Sequence, residues 1–218
     1  MLCGVSPLAA QTTDSVRLKL LPQSELTFTG TSTLHGFTCR TKDIQAFIYV
    51  DSSYTTMNLA TARHPIFGVR IVIPVKSLAC GGELEGNMRN ALKADKYPTI
   101  TYVLSSYHVI ADSTSANHFV ASTVGTLTIA GTTDSITMGV DTDRDTSGTV
   151  TAQGGHSIQM TDFHIEPPTF MHFLHTGNTI KVRFTLMATA LAVQAAKDAL
   201  SPPTASALGK SPQPVAKP

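Results

Sequence analysis

Residues 83–104 read ELEGNMRNALKADKYPTITYVL, and two periods meet inside them. Leu84, Met88, Ala91, Leu92 and Asp95 recur at helical spacing, so an apolar stripe runs along most of the first half. Glu83 and Glu85 open this segment and Lys93 and Lys96 close it, the charge order that a helix dipole favours. Pro98 cannot continue a helix, and it pushes Tyr97 towards extended geometry. From there Ile100, Tyr102 and Leu104 alternate with Thr99, Thr101 and Val103, the period of a strand. The expectation is one amphipathic helix of about 20 Å running directly into a strand.

Outward from this stretch the chain reads as strands. Val16 to Leu20 alternates, as does Ser24 to Thr33, and the LHGF run at 34–37 reads as a turn or bulge around Gly36. Ile44, Ala46, Ile48 and Val50 share a face, with Phe47 and Tyr49 on the other. Residues 51–64 carry no period and read as a loop with a short helical turn. Phe67, Val69, Ile71, Ile73 and Val75 form the cleanest alternation, with Pro74 suited to a strand end. Strands are expected from Phe119 to Ala130 and from Ile136 to Asp141, joined across GTTDS. Residues 141–156 (DTDRDTSGTVTAQGGH) read as a polar loop or a strand fraying at Gly154-Gly155. Ile158 to Phe163 and the run through Ile180, Val182, Phe184 and Leu186 complete the set. Many short strands at regular spacing with a single helix predict an all-β protein, an extended antiparallel barrel or sandwich with the helix capping one end.

The 218 residues are 42% hydrophobic and 14% charged, with a net charge of +1. That supports a real core and gives no electrostatic case for nucleic acid. No apolar run reaches the roughly 20 residues of a membrane-spanning helix. Leu8-Ala9-Ala10 before Gln11 resembles the small-residue end of a secretory signal, so residues 1–15 are expected to be the remnant of a signal peptide or a disordered terminus. Residues 192–218, rich in Ala, Pro and Ser, are expected to form a disordered tail. Removal of Cys3 with the leader would leave Cys39 and Cys80 as a pair. They either close a disulfide loop of about 40 residues or remain two buried thiols.

Five segments in order resemble the YceI-like family of lipid-binding proteins: SELTFTGTSTLHGFTC (24–39), VRIVIPVKSL (69–78), LEGNMRNALKADKYPTITY (84–102), VGTLTIAGTTDSITMGV (124–140), and MTDFHIEPPT with TIKVRFTL (160–169, 179–186). The resemblance covers about residues 16–188, within a domain drawn at 16–191. It implies an extended antiparallel, lipocalin-like barrel that holds a long isoprenoid or isoprenoid quinone in an internal apolar tunnel, binds without catalysis or cofactor, and is periplasmic or secreted. Its partners would be the lipid, a transient membrane or membrane-protein contact, and a second copy if the chain is a homodimer. The candidate ligand-binding residues are Phe28, Phe47, Leu84, Met88, Leu92, Ile100, Tyr102, Leu127, Ile129, Phe163 and Phe184, each of which could equally be ordinary core. The Cys pair, the FMHFLHTG loop (170–177) and the C-terminal tail depart from the family pattern.

Eight histidines raise a competing reading, a metal-binding module or metal-dependent enzyme. His164, Glu166, His172 and His175 lie close in sequence, and His172-x-x-His175 offers two imidazoles to one ion. Pro167 and Pro168 interrupt the group, and no HExxH helix, GxSxG elbow or P-loop is present.

Overall fold

A computed structural model of the chain describes residues 15–33, 35–59, 61–62, 64–110, 115–170 and 174–191. The segment expected as a leader remnant, except Ser15 at the start of the first strand, and the segment expected as a tail, with Leu34 and His172, lie outside them. The strands are β1 (Ser15–Leu20), β2 (Glu25–Thr31), β3 (Gly36–Thr41), β4 (Gln45–Asp51) and β5 (Ile66–Pro74); then, after helix α1 (Leu84–Ala91), β6 (Thr99–Ile110), β7 (His118–Ile129), β8 (Thr132–Arg144), β9 (Val150–Gln159), β10 (Thr169–Phe170), β11 (Leu174–His175) and β12 (Thr179–Ala190).

Register shows how ten of these strands make an eight-stranded closed barrel. β1 and β2 lie end to end along β12, which pairs Leu18–Leu20 with one half and Glu25–Thr29 with the other. β3 and β4 likewise lie end to end against β2 and β1. Each pair is thus one long strand with a break, at 21–24 and 42–44. From β4 the sheet runs antiparallel through β5, β6, β7, β8 and β9 to β12, which meets β1 and closes the circle. β3 has a partner strand on one side only, and its other side is met by the single Arg40–Ala79 bridge.

Ser24 repairs the first break. Its hydroxyl donates to the Met187 carbonyl at 3.1 Å and accepts from the Met187 N–H at 3.0 Å. One buried side chain so replaces the ladder bonds that the turn removes.

Several expectations need correction. The helix stops at Ala91, eight residues and about 12 Å, because Lys93 takes a left-handed φ of 52° and folds the chain back towards Tyr97. The polar loop at 141–156 is two long strands: β8 continues to Arg144 and β9 runs straight through Gly154-Gly155. Between them, Asp145 accepts from the N–H groups of Ser147 and Thr149 and from the Ser147 hydroxyl, building the turn. The β7–β8 connection is only Ala130-Gly131, both at positive φ (49° and 82°), the primed turn that suits strand twist. GTTDS therefore belongs mostly to β8. Phe67 leaves the face of Val69, Ile71 and Ile73, because Val50 pairs with Ile66 while Tyr49 pairs with Gly68. The extra residue in that bulge is turned out and stays 45% exposed. The run Met160–Phe163 is a 3-10 turn rather than the end of a strand.

Two apolar clusters lie at the helix end. One gathers Ile71, Ile73, Val75, Leu78, Met88 and Ala94; the other Ile129, Ala130, Met160, Phe163, Ile165 and Ile180. The opposite end is packed by Leu18, Val50, Tyr54 and Ala188 and by Leu59, Phe119 and Ala121. Tyr54 comes from a short 3-10 helix, Ser52–Thr55, the helical turn expected in the 51–64 loop.

Candidate lipid-binding lumen

The strap from Val75 to Pro98, which carries α1, closes over one end of the barrel. Cys39 on β3 and Cys80 in the strap form a disulfide, and the Arg40 and Ala79 backbones exchange hydrogen bonds at 2.9 Å beside it. Glu85 fixes the start of the helix. One carboxylate oxygen accepts from the N–H groups of Cys80 and Gly81, both at 3.2 Å, and the other from Arg89 at 3.1 Å. So tethered, the helix directs Leu84, Met88 and Leu92 into the barrel.

Beneath it lies a cavity of about 330 Å³, the size of a small-ligand site. Its wall draws on every barrel strand and on α1, and no Asp, Glu, Lys or Arg is part of it. An eight-stranded barrel can equally fill with its own side chains, so an open lumen needs a cause. Glycines supply it. A Cβ at Gly125 would stand 2.5 Å from the Tyr102 ring, one at Gly154 2.7 Å from Phe184, and one at Gly30 2.4 Å from Phe37. Where the wall lacks a side chain, the neighbouring ring packs against the backbone in the space that a Cβ would take.

Of the residues expected to bind ligand, Phe28, Ile100, Tyr102, Leu127, Ile129 and Phe184 line the lumen from the strands, and Leu84, Met88 and Leu92 from the helix. Two do not. Phe47 lies on the outward face of β4, with the Arg17 guanidinium 4.8 Å from its ring centre; its lumen-facing neighbours are Ile48 and Val50. Phe163 is 2% exposed and packs in the cluster behind the wall, while Met160 and Ile165 on either side reach the lumen.

Sequence reasoning missed the wall formed by Thr123, Ile136, Met138, Val140, Thr142, Ala152 and His156. Their period-2 spacing was present, but small and polar side chains blunt the contrast with the outward residues. Several polar groups of the lining are satisfied within the protein. The Tyr54 hydroxyl accepts from the Ala190 N–H and that of Tyr107 from the Ile66 N–H. The Thr123 hydroxyl donates to the Met138 carbonyl at 3.0 Å. The Tyr102 hydroxyl is sealed from solvent and makes no well-formed hydrogen bond among the described residues. Burial raises this phenol above its ordinary pKa of 10.0, against a smaller opposing effect of the neighbouring Thr123 hydroxyl. Burial also raises Tyr107, against a smaller opposing effect of its bond with Ile66.

Of the expected histidine group, His172 lies outside the described residues, and His164 and His175 make separate contacts. His164 sits beside the Thr132 hydroxyl at 3.3 Å and His175 beside that of Thr169 at 3.4 Å. Among the described residues the metal-ligating groups that converge are others, His118, Asp141 and Asp143 on the outer surface of β7 and β8, with ligand atoms within 4.8 Å.

A closed antiparallel barrel with an uncharged apolar lumen under a tethered helix defines a protein built to enclose an apolar molecule. The YceI-like domain model matches residues 19–188, and the chain belongs to that family. Among solved structures it resembles BcnA of Burkholderia cenocepacia, at 18% identity and a TM-score of 0.59, over 77% of this chain and 97% of that one. It also resembles a polyisoprenoid binding domain from Saccharophagus degradans, at 15% identity and a TM-score of 0.57, over 81% and 99%. No curated protein sequence matches.

Proposed function

We propose that this protein is a non-catalytic carrier that encloses a long-chain isoprenoid, such as an isoprenoid quinone, in the barrel lumen. The observation that carries this reading is the lumen itself, held open by glycine-backed rings and lined without charge. Family membership supports lipid binding, and the likeness to a polyisoprenoid binding domain supports the class of lipid. At about 0.8 kcal/mol per buried carbon, a chain of about twenty carbons already contributes about 16 kcal/mol. That nears the practical affinity ceiling of about 18–21 kcal/mol, so enclosure alone suffices for tight retention.

The nine wall residues named from the sequence are the proposed contacts, with Met88 adapting to the chain through its flexible thioether. The disulfide supports an exported protein working in an oxidising compartment. Loading and discharge then require transient contact with a membrane or membrane protein.

Natively purified protein, extracted into organic solvent and examined by mass spectrometry, should yield one prenyl-chain species near one per protein. Met88→Asp, which places a carboxylate against that chain, should lose the lipid while circular dichroism still reports the barrel. Lipid retained by this variant, or none in the wild type, overturns the reading.

A further inference from the structure

We propose that His156 is an anchor inside the lumen, hydrogen-bonding an uncharged polar group that the apolar ligand carries. This rests on the carrier reading and deepens it. His156 lies on β9 opposite Val182, which in turn pairs with Phe28, so the imidazole sits in the helix-proximal part of the barrel. On the same strand face Ile158 and Ala152 are apolar, and Gly154 is covered by the Phe184 ring.

The imidazole makes no hydrogen bond or ion pair within the described protein. Its nitrogens are not among the sealed, unpartnered polar atoms, which are Arg89 Nε and the Tyr102 hydroxyl. They face the lumen open. Tyr54, Tyr107 and Thr123 are by contrast already engaged with backbone.

When the lumen is empty, water satisfies the ring. A ligand that fills the lumen displaces this water, and a pure hydrocarbon would leave a polar group buried without a partner, which is unfavourable. A ligand with a carbonyl or hydroxyl at that level removes the penalty, because a neutral imidazole offers one donor and one acceptor. A phosphate or carboxylate fits poorly there, since no lysine or arginine lines the lumen to bring a permanent countercharge. The class selected is therefore a neutral, oxygen-bearing prenyl lipid, a quinone or an alcohol, with its polar group inside the barrel.

The test titrates delipidated full-length protein with two probes of equal prenyl length, a geranylgeranyl quinone and the matching geranylgeranyl-derived hydrocarbon. His156→Leu should weaken quinone binding about tenfold and leave the hydrocarbon unchanged or tighter, and His156→Gln should recover most of the loss. Quinone affinity unchanged in His156→Leu, or equal loss of both probes, overturns the anchor while the carrier reading stands. If the wild type binds neither probe, the carrier reading falls and takes the anchor with it. Nitrogen NMR shifts of the His156 ring in wild-type protein give a measure independent of variant folding. They should move with the quinone and not with the hydrocarbon, and equal response to both overturns the proposal.

Discussion

Gly125 shows how much depends on one missing side chain. The Tyr102 hydroxyl and ring edge occupy the space that a methyl at Gly125 would need, with contacts of 2.5 Å. Gly125→Ala should cost about 1–3 kcal/mol by overpacking, read as a fall in Tm. Combining it with Tyr102→Ala should recover stability relative to the sum of the single changes; strict additivity would refute the coupling. Asp145 acts on the opposite, solvated side of the molecule. The Ser147 hydroxyl, then the Thr149 N–H, hold its carboxyl below the ordinary 3.8. Its contribution to the turn is therefore complete above pH 3.8 and drains away as pH falls through the lower folded value. The Thr149 amide signal should shift in that acidic window and lose its pH dependence there in Asp145→Asn.

At the scale of elements, the strap is held to the barrel by the Cys39–Cys80 bond and by the Glu85 carboxylate. Cys80→Ser should lower stability by on the order of 3–4 kcal/mol in the chain-entropy model. Amide exchange should accelerate first in residues 75–98, with β7 and β8 least affected; uniform acceleration would show that the strap is no separate unit. The elements also divide by how far sequence reveals them. The stretch 84–104 announced a helix and then a strand because large apolar residues mark both periods. The helix nonetheless proved shorter than its stripe, because Lys93 adopts a left-handed turn that no apolar spacing signals. β8 and β9 were obscured for another reason: Asp141, Asp143 and Gln153 outside, and Thr142, Ala152 and His156 inside, differ little in hydropathy. Gly154-Gly155 suggested fraying, and only the Phe184 ring, thirty positions away in sequence, explains a glycine in mid-strand. Phe47 and Phe163 show the limit for the site: aromatic character identifies burial potential, not which side of a wall a ring occupies.

For the whole molecule, the β1 half of the seam along β12 is its short half. Only Leu18–Leu20 pair there with Ala188–Ala190, whereas β7 and β8 pair along their full lengths. The Tyr54 hydroxyl reinforces the seam by accepting from the Ala190 N–H at 3.0 Å. Tyr54→Phe should make the Ala190 amide exchange faster than amides of β7 and β8, with little change in helix protection. Slow exchange at Ala190 in this variant would mean that closure is held elsewhere.

The rings packed against Gly30, Gly125 and Gly154 carry a consequence for how such a protein diversifies. Girth inside the barrel is set by backbone positions that bear no side chain, and these are distributed over separate strands. A descendant that exchanges one of them for alanine tilts one ring inward and narrows the bore at one height, with strand number, register and closure intact. Successive changes of this kind would let one scaffold be re-gauged for slimmer or bulkier cargo, step by step, much as a pipe is resized by its lining rather than its wall.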